Sequence, residues 1–335
     1  MPRSLGNTGR GAVSGWHVLG AGAIGSLFAC RLQDAGMHVT LLTRHDASFK
    51  RKLKIASDPP LTYHFPQQSI SAGEDHGTPI AHLLVCTKAW AVADALTAIT
   101  PRLGPDSTVV ILCNGMGLAE KAVPLINGAS LVLGSTTAGC RLTADDELIP
   151  AGAGRTDLGG YRAGMAAPTW FTHWQMSVPE CLWRTDIHAT LVAKVALNAV
   201  INPLTALHRV ENGALLSAPL SDDTQQVIAE VQALLVASGA HHTAAELPER
   251  VRAVCEQTAR NHSSMRVDLD TGRRTEIEAI VGWLLRSAGP RPPETPLLSE
   301  AYQAICHAEP SGNRYLGKRH QTALQQRDHR GDCNP

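Results

Sequence analysis

An excess of charge of either sign is missing from this sequence. Its 335 residues carry 30 Lys and Arg against 30 Asp and Glu, so the formal net charge is zero. That balance gives no overall pull towards nucleic acid or an anionic membrane, and leaves only local basic pockets for anions. Aromatic residues, at 4%, are too sparse for a base-stacking platform. The eight cysteines never form CxxC, which argues against zinc ribbons and thioredoxin-type sites, and no other metal-ligand spacing is found. No unbroken run of about 18 apolar residues occurs, so no membrane span is expected. The opening MPRSLGNTGRGAVSG has no apolar core of a secretory signal. Cys86 and Cys113 end the apolar runs HLLVC and VVILC, where a reduced thiol behaves as a small hydrophobe. A cytoplasmic protein with free thiols is the expectation.

What is present is enough for a core. Hydrophobic residues make up 44%, and the length suits two domains. Short apolar runs alternate with helical stretches in the first half: WHVLG (16–20), a helix over 24–36, HVTLL (38–42), HLLVC (82–86), STVVILC (107–113) and SLVLGST (130–136). Continuous apolar strands alternating with helices predict a parallel sheet covered on both faces. Segment 140–160 breaks the rhythm and is expected to form hairpins at the sheet edge. From about residue 185 the apolar spacing changes to three and four, which predicts an all-helical second half. The fold class is therefore α/β, with an N-terminal Rossmann-type domain and a helical C-terminal domain. The expected boundaries are a disordered leader (1–15), a dinucleotide-binding domain (16–183), a helical substrate domain (184–308) and a flexible tail (309–335).

Between the first strand and helix lies Gly20-Ala21-Gly22-Ala23-Ile24-Gly25, a GxGxxG turn. Gly20 permits the tight turn, Gly22 admits a pyrophosphate to the backbone, and Gly25 lets helix and strand pack closely. The helix N-terminus adds N–H donors and a positive dipole end. The second strand ends in LLTRHD, with no acid at the position that would bind ribose hydroxyls. Arg44 stands there instead, where a cation meets a 2′-phosphate, which favours NADP over NAD. Lys88 and Asn114 follow the third and fourth strands directly. Ligands of open α/β sheets bind outside the carboxyl ends of the strands, so both aim at the cofactor crevice.

In the long helical run LVAKVALNAVINPLTAL, the polar exceptions are Lys194, Asn198 and Asn202, four residues apart. They share one helix face. Buried without partners, each would cost on the order of 2–7 kcal/mol. They must pair between helices, line a wet cleft or meet a polar ligand. A lysine in a cleft can protonate a carbonyl oxygen as it becomes an alkoxide. Desolvation would lower its pKa and a nearby carboxylate would raise it again. Glu276 and Glu278 both border the apolar stripe of TEIEAIVGWLL, and helical geometry does not choose between them.

With GAGAIG (20–25), CTKAW (86–90), NGMG (114–117), GSTTAG (134–139), LNAVINPLTAL (197–207), NHSSM (261–265) and RTEIE (274–278), the chain resembles the 2-dehydropantoate 2-reductase (ketopantoate reductase) family from about Val18 to Leu298. The resemblance implies reduction of the C2 ketone of 2-dehydropantoate to (R)-pantoate with NADPH, in a cleft between a Rossmann domain and a helical one. By motif, Lys194 matches the general acid and Glu276 the carboxylate that supports it and contacts cofactor or substrate. Asn114 matches the asparagine near the nicotinamide. Asn198, Asn202 and Ser264 match substrate-binding positions, with Asn261 as an addition. Arg44 and Lys88 match residues on the adenosine phosphate side of the cofactor. The stretch before the lysine departs from the family: TLVAKVALN stands where a WRKL-like phrase is common.

Three other readings compete. They are a paralogous reductase of another branched 2-oxo acid, a non-catalytic NADP(H) sensor, and a β-hydroxyacid dehydrogenase of similar plan. The Lys194, Asn198 and Glu276 set speaks against a sensor, which needs no acid. INPLTA and NHSSM speak against the dehydrogenase. The expected partner is a small molecule, without nucleic acid or membrane. Helical second domains often pair, which leaves a homodimer open.

Overall fold

A computed structural model describes residues 15–44, 51–55, 60–70 and 78–310. The expected leader up to residue 14 and the expected tail from residue 311 lie outside the described residues. In the first half, β1 (Trp16–Leu19) leads into α1 (Ala23–Asp34) and β2 (Val39–Thr43). β3 (Arg51–Ile55), β4 (Leu61–Phe65) and β5 (Gln67–Ser69) follow. Next come β6 (His82–Val85), α2 (Val92–Ile99), β7 (Thr108–Ile111), α3 (Leu118–Ala122) and β8 (Ser130–Thr136). β9 (Gly139–Leu142), β10 (Glu147–Gly152), β11 (Thr156–Gly160), α4 (Phe171–Ser177) and β12 (Cys181–Trp183) complete it.

Eight strands form one sheet in the order β12-β11-β8-β7-β6-β1-β2-β5. Pairing is parallel from β8 through to β5, while β11 runs antiparallel to β8. The register aligns the strand ends: Leu19 lies opposite Leu42 and Val85, and Val85 opposite Ile111. Gly20, Lys88 and Asn114 therefore leave the sheet at one edge. Side chains alternate between faces. Leu83, Val85, Val109 and Ile111 join one core, and Leu84 and Val110 the other. The second core holds α1, α4 and a cluster of Trp16, Trp170 and Trp174.

The 140–160 segment corrects the expectation of hairpins at the sheet edge. β9 and β10 do form an antiparallel pair, but in a separate four-stranded sheet, β4-β3-β10-β9, that lies against α1. β11 instead enters the main sheet beside β8, and the short β12 becomes its edge.

The second half contains α5 (Ile187–His208), α6 (Ser221–Ala237), α7 (His241–Gln257), α8 (Ser264–Asp270), α9 (Trp283–Ser287) and α10 (Pro296–Ala308). A π-helical turn, Glu278–Gly282, precedes α9 and interrupts what the sequence pattern reads as one regular helix. α5 packs against α6, α7, α8 and α10, and also against β8 and β11. Its apolar residues Leu191, Val195, Ala199 and Val200 are buried in the same core as β6 and β7, so the two halves share one hydrophobic interior. α5 is long and apolar enough to cross a membrane by length and composition, but 61% of that stretch is buried within the protein. Asp186 caps its N-terminus by accepting from Ala189 N at 3.1 Å.

Candidate active site between the two halves

The glycine turn has the shape its residues require. Gly20 has φ +98°, and a Cβ there would lie 2.6 Å from Thr87 N. A Cβ on Gly25 would collide with the Gly20 carbonyl. A Cβ on Gly22 would meet nothing within 4 Å, so the space outside that residue is clear. Gly22 also precedes α1 without a side-chain cap, which leaves the first-turn N–H groups of Ala23, Ile24 and Gly25 available to an anion. Shape and donors both fit a dinucleotide pyrophosphate. Arg44 is exposed just past the end of β2.

Glu276 is the hub of the cleft. It is buried, and both of its oxygens are used. Oε1 accepts from Ala89 N at 3.0 Å and Oε2 from Asn114 Nδ2 at 3.0 Å. Lys88 Nζ stands 3.8 Å from Oε2 and 2.5 Å from Oδ2 of the buried Asp268. Asp268 also accepts from Arg273 Nε at 3.1 Å. Trp90 and the Arg274 guanidinium stack 5.3 Å apart on the same seam. The CTKAW and RTEIE phrases thus meet face to face across the two halves. Glu278 points elsewhere, to Tyr302 Oη at 2.5 Å and Arg286 Nη1 at 2.7 Å. The choice that helical spacing left open is made by these partners.

Lys194 reaches into this cleft from α5. Its Nζ donates to the Thr136 carbonyl at 2.7 Å. Burial lowers its pKa to about 8, against the opposing pull of Glu276 and Cys113. Burial also pushes the Cys113 and Cys86 thiols up, so neither offers a thiolate. Asn114 is held in place from its own loop: Met116 N donates to Ala279 O at 2.9 Å. A Cβ on Gly115 (φ +92°) would lie 2.5 Å from Ala279 Cβ, so only glycine fits there.

Two family profiles match the chain: "Ketopantoate reductase PanE/ApbA" over residues 16–163 and "Ketopantoate reductase PanE/ApbA C terminal" over 186–309. The chain belongs to this ketopantoate reductase family. The 2-dehydropantoate 2-reductase of Vibrio cholerae is 31% identical over 303 residues, covering 88% of this chain and 97% of its own. Among solved structures, the probable 2-dehydropantoate 2-reductase of Bacillus subtilis is 27% identical with a TM-score of 0.72, over 88% of this chain and 99% of its own. A D-mandelate dehydrogenase solved with NADH and anilino(oxo)acetate reaches a TM-score of 0.76 over 88% of this chain and 98% of its own. At 22% identity that likeness speaks for the fold alone.

In this ketopantoate reductase family member, Lys88, Asn114 and Glu276 are joined by direct contacts, and Lys194 lies within electrostatic reach of Glu276. Asn198 and Asn202 extend along α5 from Lys194, and their side chains have no hydrogen-bond partner among the described residues. Ser264 opens α8, whose cap Ser263 is tied to Thr205 of α5 at 2.8 Å. Asn261 contributes its backbone, accepting from Asn212 N at 3.0 Å, and its residue is exposed. No hydrogen bond or ion pair among the described residues joins these four side chains to the Glu276 hub. Asp268 and the Thr136 carbonyl were not foreseen. The signal for Asp268 was slight, an acid three residues after the buried Met265 on one short helix. A backbone carbonyl leaves no mark in the sequence.

Proposed function

We propose that the protein reduces the C2 ketone of 2-dehydropantoate to (R)-pantoate with NADPH, with Lys194 as general acid. The observation that carries the reading is Lys194 itself. It is a desolvated ammonium at the cleft, with a pKa of about 8, beside a carboxylate already tied to Asn114. Family membership supplies the reaction class.

Gly20 to Gly25 would hold the pyrophosphate, and Arg44 and Lys88 the adenosine phosphates. Bound there, the dinucleotide supplies the hydride that goes to C2. Lys194 gives its proton to the ketone oxygen as negative charge develops on it. Positioned acid catalysis of this kind is worth about 10²–10⁴-fold. Asn198 and Asn202, whose amides have no hydrogen-bond partner among the described residues, orient the substrate hydroxyl, and Ser264 and neighbouring N–H groups take the carboxylate. Asn261 stands at the margin of that set. Glu276 opposes the desolvation of Lys194 and fixes the Asn114 amide. The protein then works as a cytoplasmic biosynthetic enzyme on a small molecule.

NADPH absorbance is followed with purified protein and 2-dehydropantoate, beside 2-oxoisovalerate and NADH controls. NADPH-preferring turnover of 2-dehydropantoate is the expected result. Arg44→Ala weakens NADPH far more than NADH; equal losses would remove the 2′-phosphate assignment. The alternative reading is a reductase of another branched 2-oxo acid. NADPH binding without turnover of 2-dehydropantoate selects it.

A further inference from the structure

The GSTTAG phrase has no part in the reading above, yet it supplies the hydrogen-bond partner of Lys194. The Thr136 carbonyl that accepts from Nζ belongs to the peptide unit Thr136–Thr137. The N–H of that same unit donates to Arg155 O at 2.9 Å. A trans peptide points its N–H and C=O in opposite directions, so anchoring the one aims the other. The unit is held at further points. Thr136 Oγ1 pairs with Thr156 Oγ1 at 3.0 Å and accepts from Ala138 N at 3.1 Å, both in buried surroundings. Thr137 Oγ1 accepts from Arg155 N at 2.8 Å. Gly154 (φ +62°) lets the two backbones touch, since a Cβ there would collide with Ala138 N.

We infer that this locked peptide is the positioning element of the acid: Thr136 aims its carbonyl at Lys194, and Thr156 and Gly154 act through it. The inference rests on Lys194 as the proton donor. A carbonyl suits that task better than a carboxylate would. A direct ion pair holds the proton on the lysine, whereas a neutral acceptor orients the ammonium with less resistance to its release. The amine left after transfer still has N–H groups to donate, so Lys194 stays in place in both protonation states. Glu276 raises the lysine pKa without forming an ion pair with it among the described residues. The orienting and charge-balancing roles are thereby divided between two groups.

The test compares Thr136→Val and Thr156→Val with wild type, using Thr136→Ser as the conservative variant and Lys194→Ala as control. Valine keeps the β-branch and removes the hydroxyl. Displacing a catalytic group slightly costs about 10-fold or more, so each valine variant lowers kcat by that amount. NADPH affinity stays near wild type. The alkaline limb of the kcat profile moves to lower pH, because an ammonium whose carbonyl acceptor is misaligned loses its proton more readily. Thr136→Ser restores most of the rate. Wild-type kcat and pH profile in Thr136→Val overturn the inference. Loss of NADPH binding together with turnover also counts against it, because a fold defect then explains the result. Undiminished turnover in Lys194→Ala sinks the acid assignment instead, and is read separately.

Discussion

Lys194 carries its proton at neutral pH by a narrow margin. Burial takes its pKa from the ordinary 10.5 to about 8, although Glu276 and Cys113 pull the other way. An acid whose pKa lies near the working pH combines the right protonation state with a usable driving force for transfer. We expect kcat/KM to be flat below pH 8 on this limb and to fall above it, as stopped-flow NADPH oxidation would record. The same desolvation weakens the fold. Between the folded pKa of about 8 and the unfolded 10.5, the native state binds fewer protons than the unfolded one, so wild-type stability rises with pH across that window. Lys194→Met should therefore melt higher than wild type at pH 7, with an advantage that shrinks as pH climbs through the window. Glu276 is equally exacting. A glutamine there can still accept from Ala89 N–H, but only by donating to Asn114, whose amide must turn over from the orientation the carboxylate fixes, and the charge beside Lys88 and Lys194 is lost. Glu276→Gln is expected to lower kcat/KM about 10-fold or more, a loss of that order in transition-state binding. At this scale helical spacing revealed the polar stripe and two acids without choosing between them, and Glu276 was singled out only by the resemblance of the RTEIE phrase. The deciding partner, Asn114, lies 162 residues away.

Elements fix where those residues stand. β1, β6 and β7 were legible because their apolar runs are continuous and buried on both faces. β3 and β4, in RKLKI and LTYHF, alternate with polar residues, belong to a small second sheet and gave no such run. The π-helical turn at Glu278–Gly282 was illegible for another reason. Its extra residue is compensated by tertiary contacts, such as Met116 N to Ala279 O, that no local spacing records. The glycine turn was legible in detail, since each position has a steric reason. Gly25→Ala should abolish NADPH binding, measured by fluorescence titration, because its Cβ has no room beside Gly20 O. By contrast, Asp186→Ala removes only a helix cap. It should cost about 1 kcal/mol in denaturant unfolding while leaving turnover near wild type.

The whole molecule is less divided than its two profiles imply. The predicted change from alternating to all-helical pattern occurs where β12 gives way to α5, yet a single apolar core runs through both halves. Composition could show the change of pattern but not the seam, which is made of individual pairs. Lys88 with Asp268, at 2.5 Å, is the shortest of those described above. Asp268→Asn leaves Lys88 and Arg273 facing a neutral group. With Lys88 36% exposed, the loss is discounted to about 1–3 kcal/mol of global stability, read from urea midpoints.

The burial of α5 also bears on how the chain is made. During synthesis this helix leaves the ribosome as a segment that, by hydropathy, resembles a membrane anchor. Of the helices that cover it, α6, α7 and α8 are translated later, and Pro296–Ala308 last of all. Until then its apolar side has the first-half core, chiefly β8 and β11, to rest on. The nascent chain therefore passes through an interval in which it is a natural client for chaperones that shield hydrophobic helices.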